Sequence, residues 1–301
     1  MKTRISFSKV SAAMTRVLPL LLVAVLLLAG CGSDDDSGGV VATTTQVADL
    51  ARNVAGDRIA VAGILTPNAD PHGYEPRARD VKRLAGAKLV LRSGGEPDEW
   101  LEEAQASAGS NARVVTLGEN TSEEPHWWQD PQAVIEAVEK LKDGLIEVDP
   151  DGRPTYEANA RRYLDRLADL DRETMRCIQT IPEARRKLVT THDALGAYAA
   201  RYGLEVIATV IPSRSTRGQA SAGETAELVR TIERERVPAI FAESSVRSDV
   251  EQAIAREAGA RVAPALYADS LGPKGSPGAT YVESIEFNTR TIAEALGGRC
   301  P

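Results

Sequence analysis

From residue 40 onward the hydrophobic positions alternate between two rhythms. Short β-branched runs are separated by stretches in which apolar residues recur every three or four positions, the spacing of an amphipathic helix. "VVATTT" predicts a strand and "QVADLARNVAG" a helix. "RIAVAGIL", "KLVLRSG" and "ARVVTLG" predict further strands, with "ARDVKRLAGA" and "PDEWLEEAQASAG" as helices between them and "DPQAVIEAVEKLKDGLIEV" closing this half. Such alternation implies a parallel sheet covered by helices on both faces.

The pattern then breaks. "RPTYEANARRYLDRLADLDRETMRCIQTIP" has Pro154 where a first helical turn tolerates it and neither glycine nor proline again until Pro182. Leu164, Leu167 and Leu170 make an apolar stripe in a charged background, and about 27 residues would form a rod of roughly 40 Å. After it the alternation resumes. "RKLVTTH", "LEVIATVI", "PAIFAES" and "ARVAPALYAD" predict strands, and "DALGAYAARYG", "ETAELVRTIERERV", "SDVEQAIAREAG" and "ATYVESIEFNTRTIAEALG" predict helices. A Ser/Gly-rich loop, "PSRSTRGQASAG", interrupts this half. The expected fold is α/β, with two lobes that each hold a roughly four-stranded parallel sheet flanked by helices. One long rigid helix joins them. The boundaries are 40–150 for the first lobe, 151–181 for the linking helix and 182–301 for the second lobe.

The first thirty residues stand apart. Lys2, Arg4, Lys9 and Arg16 precede the apolar run "VLPLLLVAVLLLAG", too short for a comfortable membrane span and ending in small residues, as an export signal does. "LAGC", Leu28–Cys31, resembles the lipobox of bacterial lipoproteins, which implies a signal peptide over 1–30 and lipidation of Cys31. Residues 31–39 would then be a flexible tether and the lipid the only membrane contact. Loss of a leader with four positive and no negative charges takes the formal charge from −7 to −11. So acidic a surface argues against nucleic acid as a partner and suits a protein outside the cell, anchored to the membrane. The remaining cysteines, Cys177 and Cys300, are a candidate disulfide in an oxidising compartment, the alternative being two separate thiols.

Candidate chemistry gathers at the strand ends, where loops of an open parallel sheet converge. The chain has three histidines. His72, in "ADPHGYEP", follows "RIAVAGIL"; His126, in "EEPHWWQDP", follows "ARVVTLG"; His192, in "VTTHDALG", ends its strand. Glu243 ends "AIFAES" and Asp269 follows "ARVAPAL". Imidazoles with a carboxylate are the ligand set of zinc and related divalent metals. Their wide separation along the chain predicts a site assembled between lobes, not a local finger.

At these residues the chain resembles the metal-binding lipoproteins of ABC importers for zinc and manganese, the zinc-uptake or adhesin-type cluster of solute-binding proteins. "ADPHGYEPRARDVKRLAGAKLVL", "EEPHWWQDPQAV", "THDALGAYAARYGL", "FAESSVRSDVEQAIAREAGARV" and "YADSLGP" carry the likeness, which runs from about residue 40 to 298. The resemblance implies His72, His126, His192 and Asp269 as metal ligands, with Glu243 a near neighbour or alternative ligand. It also implies a membrane permease and a cytoplasmic ATPase as partners, and a monomer as the working form. Two features depart from the family pattern. The histidine-rich acidic loop often found between the first two ligands in zinc-specific members is missing, and "EEPH" stands where an aspartate commonly precedes the proline.

Family members with histidine as third ligand tend toward zinc, so His192 implies Zn2+, with Mn2+ as the alternative cargo and iron a further one. Three neutral imidazoles and one carboxylate suit a tetrahedral, borderline-soft ion, whereas manganese prefers more oxygen. Neutral histidines predict a loss of affinity as pH falls through about 6 to 7. The competing readings are a zinc hydrolase and a surface adhesin. Against the first, there is no H-E-x-x-H, no nucleophile elbow and a fourth ligand to close the metal shell; against the second, there are no repeats or stalk. No catalytic residue is expected. A phosphate-binding "GxxxxGK" is also missing, so another subunit must power transport.

Overall fold

The computed structural model describes residues 39–119 and 124–301. The leader, Cys31 and nearly all of the tether lie outside these residues.

The first half is built on four parallel strands: β1 (Val40–Ala42), β2 (Val61–Gly63), β3 (Leu89–Arg92) and β4 (Arg113–Thr116), in the order β2-β1-β3-β4. β1 and β3 are central and buried on both faces, hence their unbroken apolar sequence. Alternate residues serve different layers. Val40, Ala42, Leu89 and Leu91 pack with helices α1 (Thr45–Ala55) and α4 (Pro131–Val148), while Val41 and Val90 pack with α2 (Ala78–Gly86) and α3 (Leu101–Ala108). Side chains with local reasons to stop the chain set the helix starts. Thr44 caps α1 by accepting from the Val47 N–H, and Asp130 caps α4 from the Gln132 N–H with Pro131 in the first turn.

The long helix α5 runs from Arg153 to Ile178, and its 26 residues span about 39 Å. Tyr156, Ala160, Tyr163, Leu167 and Leu170 face the core of the first half. The same stripe continues to Cys177 and Ile178, which pack in a second core with Leu188, Tyr198 and Phe241. One helix therefore belongs to both hydrophobic cores. A polar knot strengthens the joint. Asp171 of α5 accepts from Gln132 of α4 (2.8 Å), and from Arg201 (2.6 and 3.0 Å) and Tyr202 (3.0 Å) of α6 (Gly196–Tyr202). Cys177 and Cys300 are disulfide-bonded, fastening the chain end to α5.

The second half repeats the plan in two strand pairs: β5 (Lys187–Thr190), β6 (Glu205–Thr209), β7 (Ala239–Ile240) and β8 (Arg261–Val262), with α7 (Ala222–Glu235), α8 (Asp249–Glu257) and α9 (Tyr281–Ala295). The β5–β6 and β7–β8 pairs are parallel and meet through a bridge between Thr190 and Phe241. "ARVAPALYAD" makes a ladder of only two residues before Pro264, which has no N–H to give. The chain stays extended beyond it, however. Leu266 bridges to Glu243 and delivers the next residues to the carboxyl end of the sheet.

Candidate metal centre

Four loops meet between the carboxyl ends of the two sheets. The β2 loop brings His72, held by its own backbone N–H donating to Asp70 Oδ1 (3.0 Å). The loop after β4 brings His126, followed by Trp127, whose indole N–H is anchored on Ser93 at the end of β3 (3.0 Å to Oγ). His192 lies two residues after β5, its carbonyl accepting from Thr190 Oγ1 (2.7 Å). Asp269 arrives on the segment after β8.

The three imidazoles turn their Nε2 atoms toward one another. Nε2 of His126 lies 3.4 Å from that of His72 and 3.3 Å from that of His192. Asp269 completes the cluster, its carboxylate oxygens 3.1 Å from Nε2 of His72, 3.5 Å from His126 and 3.3 Å from His192. One donor atom from each residue lies within 4.8 Å of all the others. No residue of the four is more than 1% exposed.

Two of the rings are oriented from behind by a carboxylate in contact with Nδ1, and the third has one nearby that accepts its backbone N–H. Glu96 contacts Nδ1 of His72, Glu243 Oε1 contacts Nδ1 of His192 at 2.7 Å, and Glu124 lies 3.6 Å from Nδ1 of His126. An acceptor at Nδ1 keeps the proton there and leaves the Nε2 lone pair facing the centre. Glu243, expected as a neighbour or alternative ligand, thus stands behind His192. Glu96 and Glu124 were not singled out in the sequence, although both obey the rule that found the histidines. Glu96 sits just past the end of β3, and Glu124 is two residues from His126. The sequence carries no signal for a further pair: the Trp128 indole (2.8 Å) and the Gln129 amide (2.7 Å) both donate to the carbonyl of Ala268, the residue before Asp269.

Burial and closely packed charges set the electrostatics of the cluster. Burial pushes His192 down, but Asp269 and Glu243 overcome it and hold the imidazole at about 9. His72 is likewise lowered by burial and raised on balance by Asp269 and Glu96. Burial raises Asp269, yet the three imidazoles, His192 foremost, draw it down to about 2. Desolvation keeps the wholly enclosed Glu243 above the ordinary carboxylate range, whereas Glu124, also raised by burial, is drawn below it chiefly by His126. Neither oxygen of Asp269 has a hydrogen bond, and their approaches to the rings lack hydrogen-bond angles. Three converging nitrogen lone pairs with an unpartnered carboxylate fit a four-coordinate divalent cation, the cargo that such a donor set can grip.

Known proteins resemble the chain over most of its length. The family described as zinc-uptake complex component A, periplasmic, matches residues 40–295. The manganese-binding lipoprotein MntA of Bacillus subtilis (strain 168) is 31% identical over 270 residues, covering 84% of this chain and 88% of that protein. The iron-binding protein YfeA of Yersinia pestis is 28% identical over 264 residues, 84% of each chain. Among solved structures, the periplasmic zinc binding protein TroA from Treponema pallidum superposes with a TM-score of 0.81 at 29% identity, over 86% of this chain and 99% of that one. The chain belongs to the family of the periplasmic zinc-uptake component A.

Proposed function

We propose that this protein is an extracytoplasmic, lipid-anchored solute-binding protein that captures one divalent metal ion, zinc first among them, and delivers it to an ABC-type importer. The observation that carries this reading is the convergence of three Nε2 atoms and one unpartnered carboxylate at a buried point between the two sheets. His72, His126, His192 and Asp269 would ligate the ion, and Glu96, Glu124 and Glu243 would hold the histidines in place. Residues 40–150 and 182–301 would act as two lobes, with 151–181 as the strut that limits their relative movement.

Zinc is favoured over manganese or iron by the donor set, three nitrogens to one oxygen. The relatives' names include manganese and iron as well as zinc, so the cargo has to be measured on this chain. A hydrolytic role is disfavoured by the same geometry. A catalytic zinc keeps a position open for water, whereas here Asp269 would be a fourth ligand closing the shell at a point sealed from solvent. The permease, its ATPase and the lipid on Cys31 complete the proposed machinery.

Competition titrations of zinc and manganese against a chelator of known affinity test the reading. We expect zinc to bind more tightly by orders of magnitude, and His192→Ala to abolish most of that binding. Equal zinc affinity after this substitution would remove His192 from the ligand set.

A further inference from the structure

The four converging residues are sealed from solvent, so an ion can enter or leave only if something parts. Three groups of hydrogen bonds hold the halves together beside the site, and they differ in kind; in one of them the Leu271 N–H donates to Thr45 Oγ1 and the Asn68 N–H to the Leu271 carbonyl, each at 2.9 Å. On one side Trp128 and Gln129, each 1% exposed, donate to the Ala268 carbonyl. Breaking these would strand dry polar groups, which is costly.

On the other side lies the Ser-rich loop between β6 and α7. Ser215 and Thr216 are only half-buried, so water can replace their bonds as they open. Ser215 Oγ donates to Glu96 Oε1 (3.0 Å) and Thr216 Oγ1 to Asp70 Oδ2 (2.6 Å). The second oxygen of each carboxylate serves His72: Glu96 Oε2 is on its Nδ1, and Asp70 Oδ1 accepts its backbone N–H. Both carboxylates thus hold His72 with one oxygen and are held from the opposite half by the other.

The loop is also fixed at its base beside His192. Ile211 N–H donates to the Thr191 carbonyl (2.7 Å), and Asp193 N–H to that of Ser213 (3.0 Å). It is braced internally as well. Ser213 Oγ accepts from the Ser215 N–H (3.0 Å), and a Cβ on Gly218 would come within 2.8 Å of the Ile211 side chain and 3.0 Å of Ser213. The hydroxyls therefore reach the first half on a preformed turn rooted next to one histidine and gripping the supports of another.

We propose that Ser215 and Thr216 are positioning residues forming a latch: from the second half they hold Glu96 and Asp70, and through them His72, in the metal-holding geometry, and this is the edge that parts when the ion leaves. The latch rests on the capture reading above. It adds a route and a rate-controlling contact to that reading.

The test uses the full-length chain loaded with zinc and chased with EDTA, following release in a stopped-flow instrument. Ser215→Ala combined with Thr216→Val should release zinc about tenfold faster than wild type, with the thermal midpoint of the metal-free chain unchanged. Exchanging the hydroxyls, Ser215→Thr with Thr216→Ser, should restore wild-type release. Release from the Ala/Val protein within about twofold of wild type, or release from the hydroxyl-exchanged protein as fast as from the Ala/Val one, would overturn the latch. If the double substitution fails to fold, Ser215→Ala alone carries the same test, with an expected increase of about threefold; an unchanged rate overturns the proposal. A wild-type chain that holds no divalent cation would instead remove the capture reading, and the latch with it.

Discussion

Proton competition at His192 can be worked through from the structure. Asp269 and Glu243 lift this imidazole from 6.5 to about 9 against the effect of burial. That rise corresponds to roughly 3 kcal/mol of extra hold on the proton. A metal ion needs the neutral ring, so each bound ion must expel the proton. At about pH 7, some two units below the folded value, zinc binding should be about a hundredfold weaker than at the alkaline limit on account of His192 alone. His72 is raised as well, so it should add to the protons released on binding, and log Kd should fall as pH rises toward the alkaline limit. The expectation from histidine alone, a fall between about pH 6 and 7, thus moves upward, because the sequence does not reveal which carboxylates face the rings. Glu243→Gln removes one of them and should lower both the midpoint of the pH dependence and the number of protons released. Competition titrations from about pH 6.5 to 9, in buffers of different ionisation heat, read affinity and proton release together. Affinity flat over that range, or an identical profile for Glu243→Gln, would refute the reasoning. For the metal-free chain the sign is opposite. Stabilisation from protonated His192 is complete below about 6.5 and is lost as pH rises through about 9, while that from Asp269 is present above 3.8 and lost as pH falls through about 2. Both describe one contact and do not add.

Three further outcomes are expected. Trp128→Phe keeps the ring but removes the indole donor to Ala268, so it should cost about 1 kcal/mol in chemical denaturation and weaken zinc binding several-fold by loosening Asp269. Leu167→Ala, at a position of α5 with no exposure, should lower the unfolding free energy by about 2–5 kcal/mol without changing the metal stoichiometry. Cys300→Ser opens a covalent loop between residues 123 apart in sequence, and should lower stability by about 2–4 kcal/mol in a denaturant titration.

Much of the site was legible because its ligands are rare residues at predictable places. With three histidines in the chain, all at strand ends, position and chemistry pointed the same way. The supporting carboxylates were harder to see, since 43 acidic residues offer many candidates and only folding brings Glu96 behind His72. Ser215 and Thr216 were visible only as members of a loop, and nothing local tells which carboxylates they reach. The long helix was recognisable from its uninterrupted run, but its buried stripe was read from leucines. Leu164 is in fact half-buried, while Tyr156 and Tyr163, amphipathic enough for either environment, are buried. β8 was overestimated for a similar reason. Its apolar pattern continues through Pro264, whereas the regular ladder stops at Val262 and pairing resumes only at Leu266, which bridges to Glu243.

The account depends most on one ion being gripped by side chains from both halves, and anomalous diffraction from crystals of the zinc-loaded chain tests that directly. It predicts a single zinc bonded at about 2.0–2.2 Å to Nε2 of His72, His126 and His192 and to a carboxylate oxygen of Asp269. Zinc bound elsewhere, or ligated from one half alone, would contradict it.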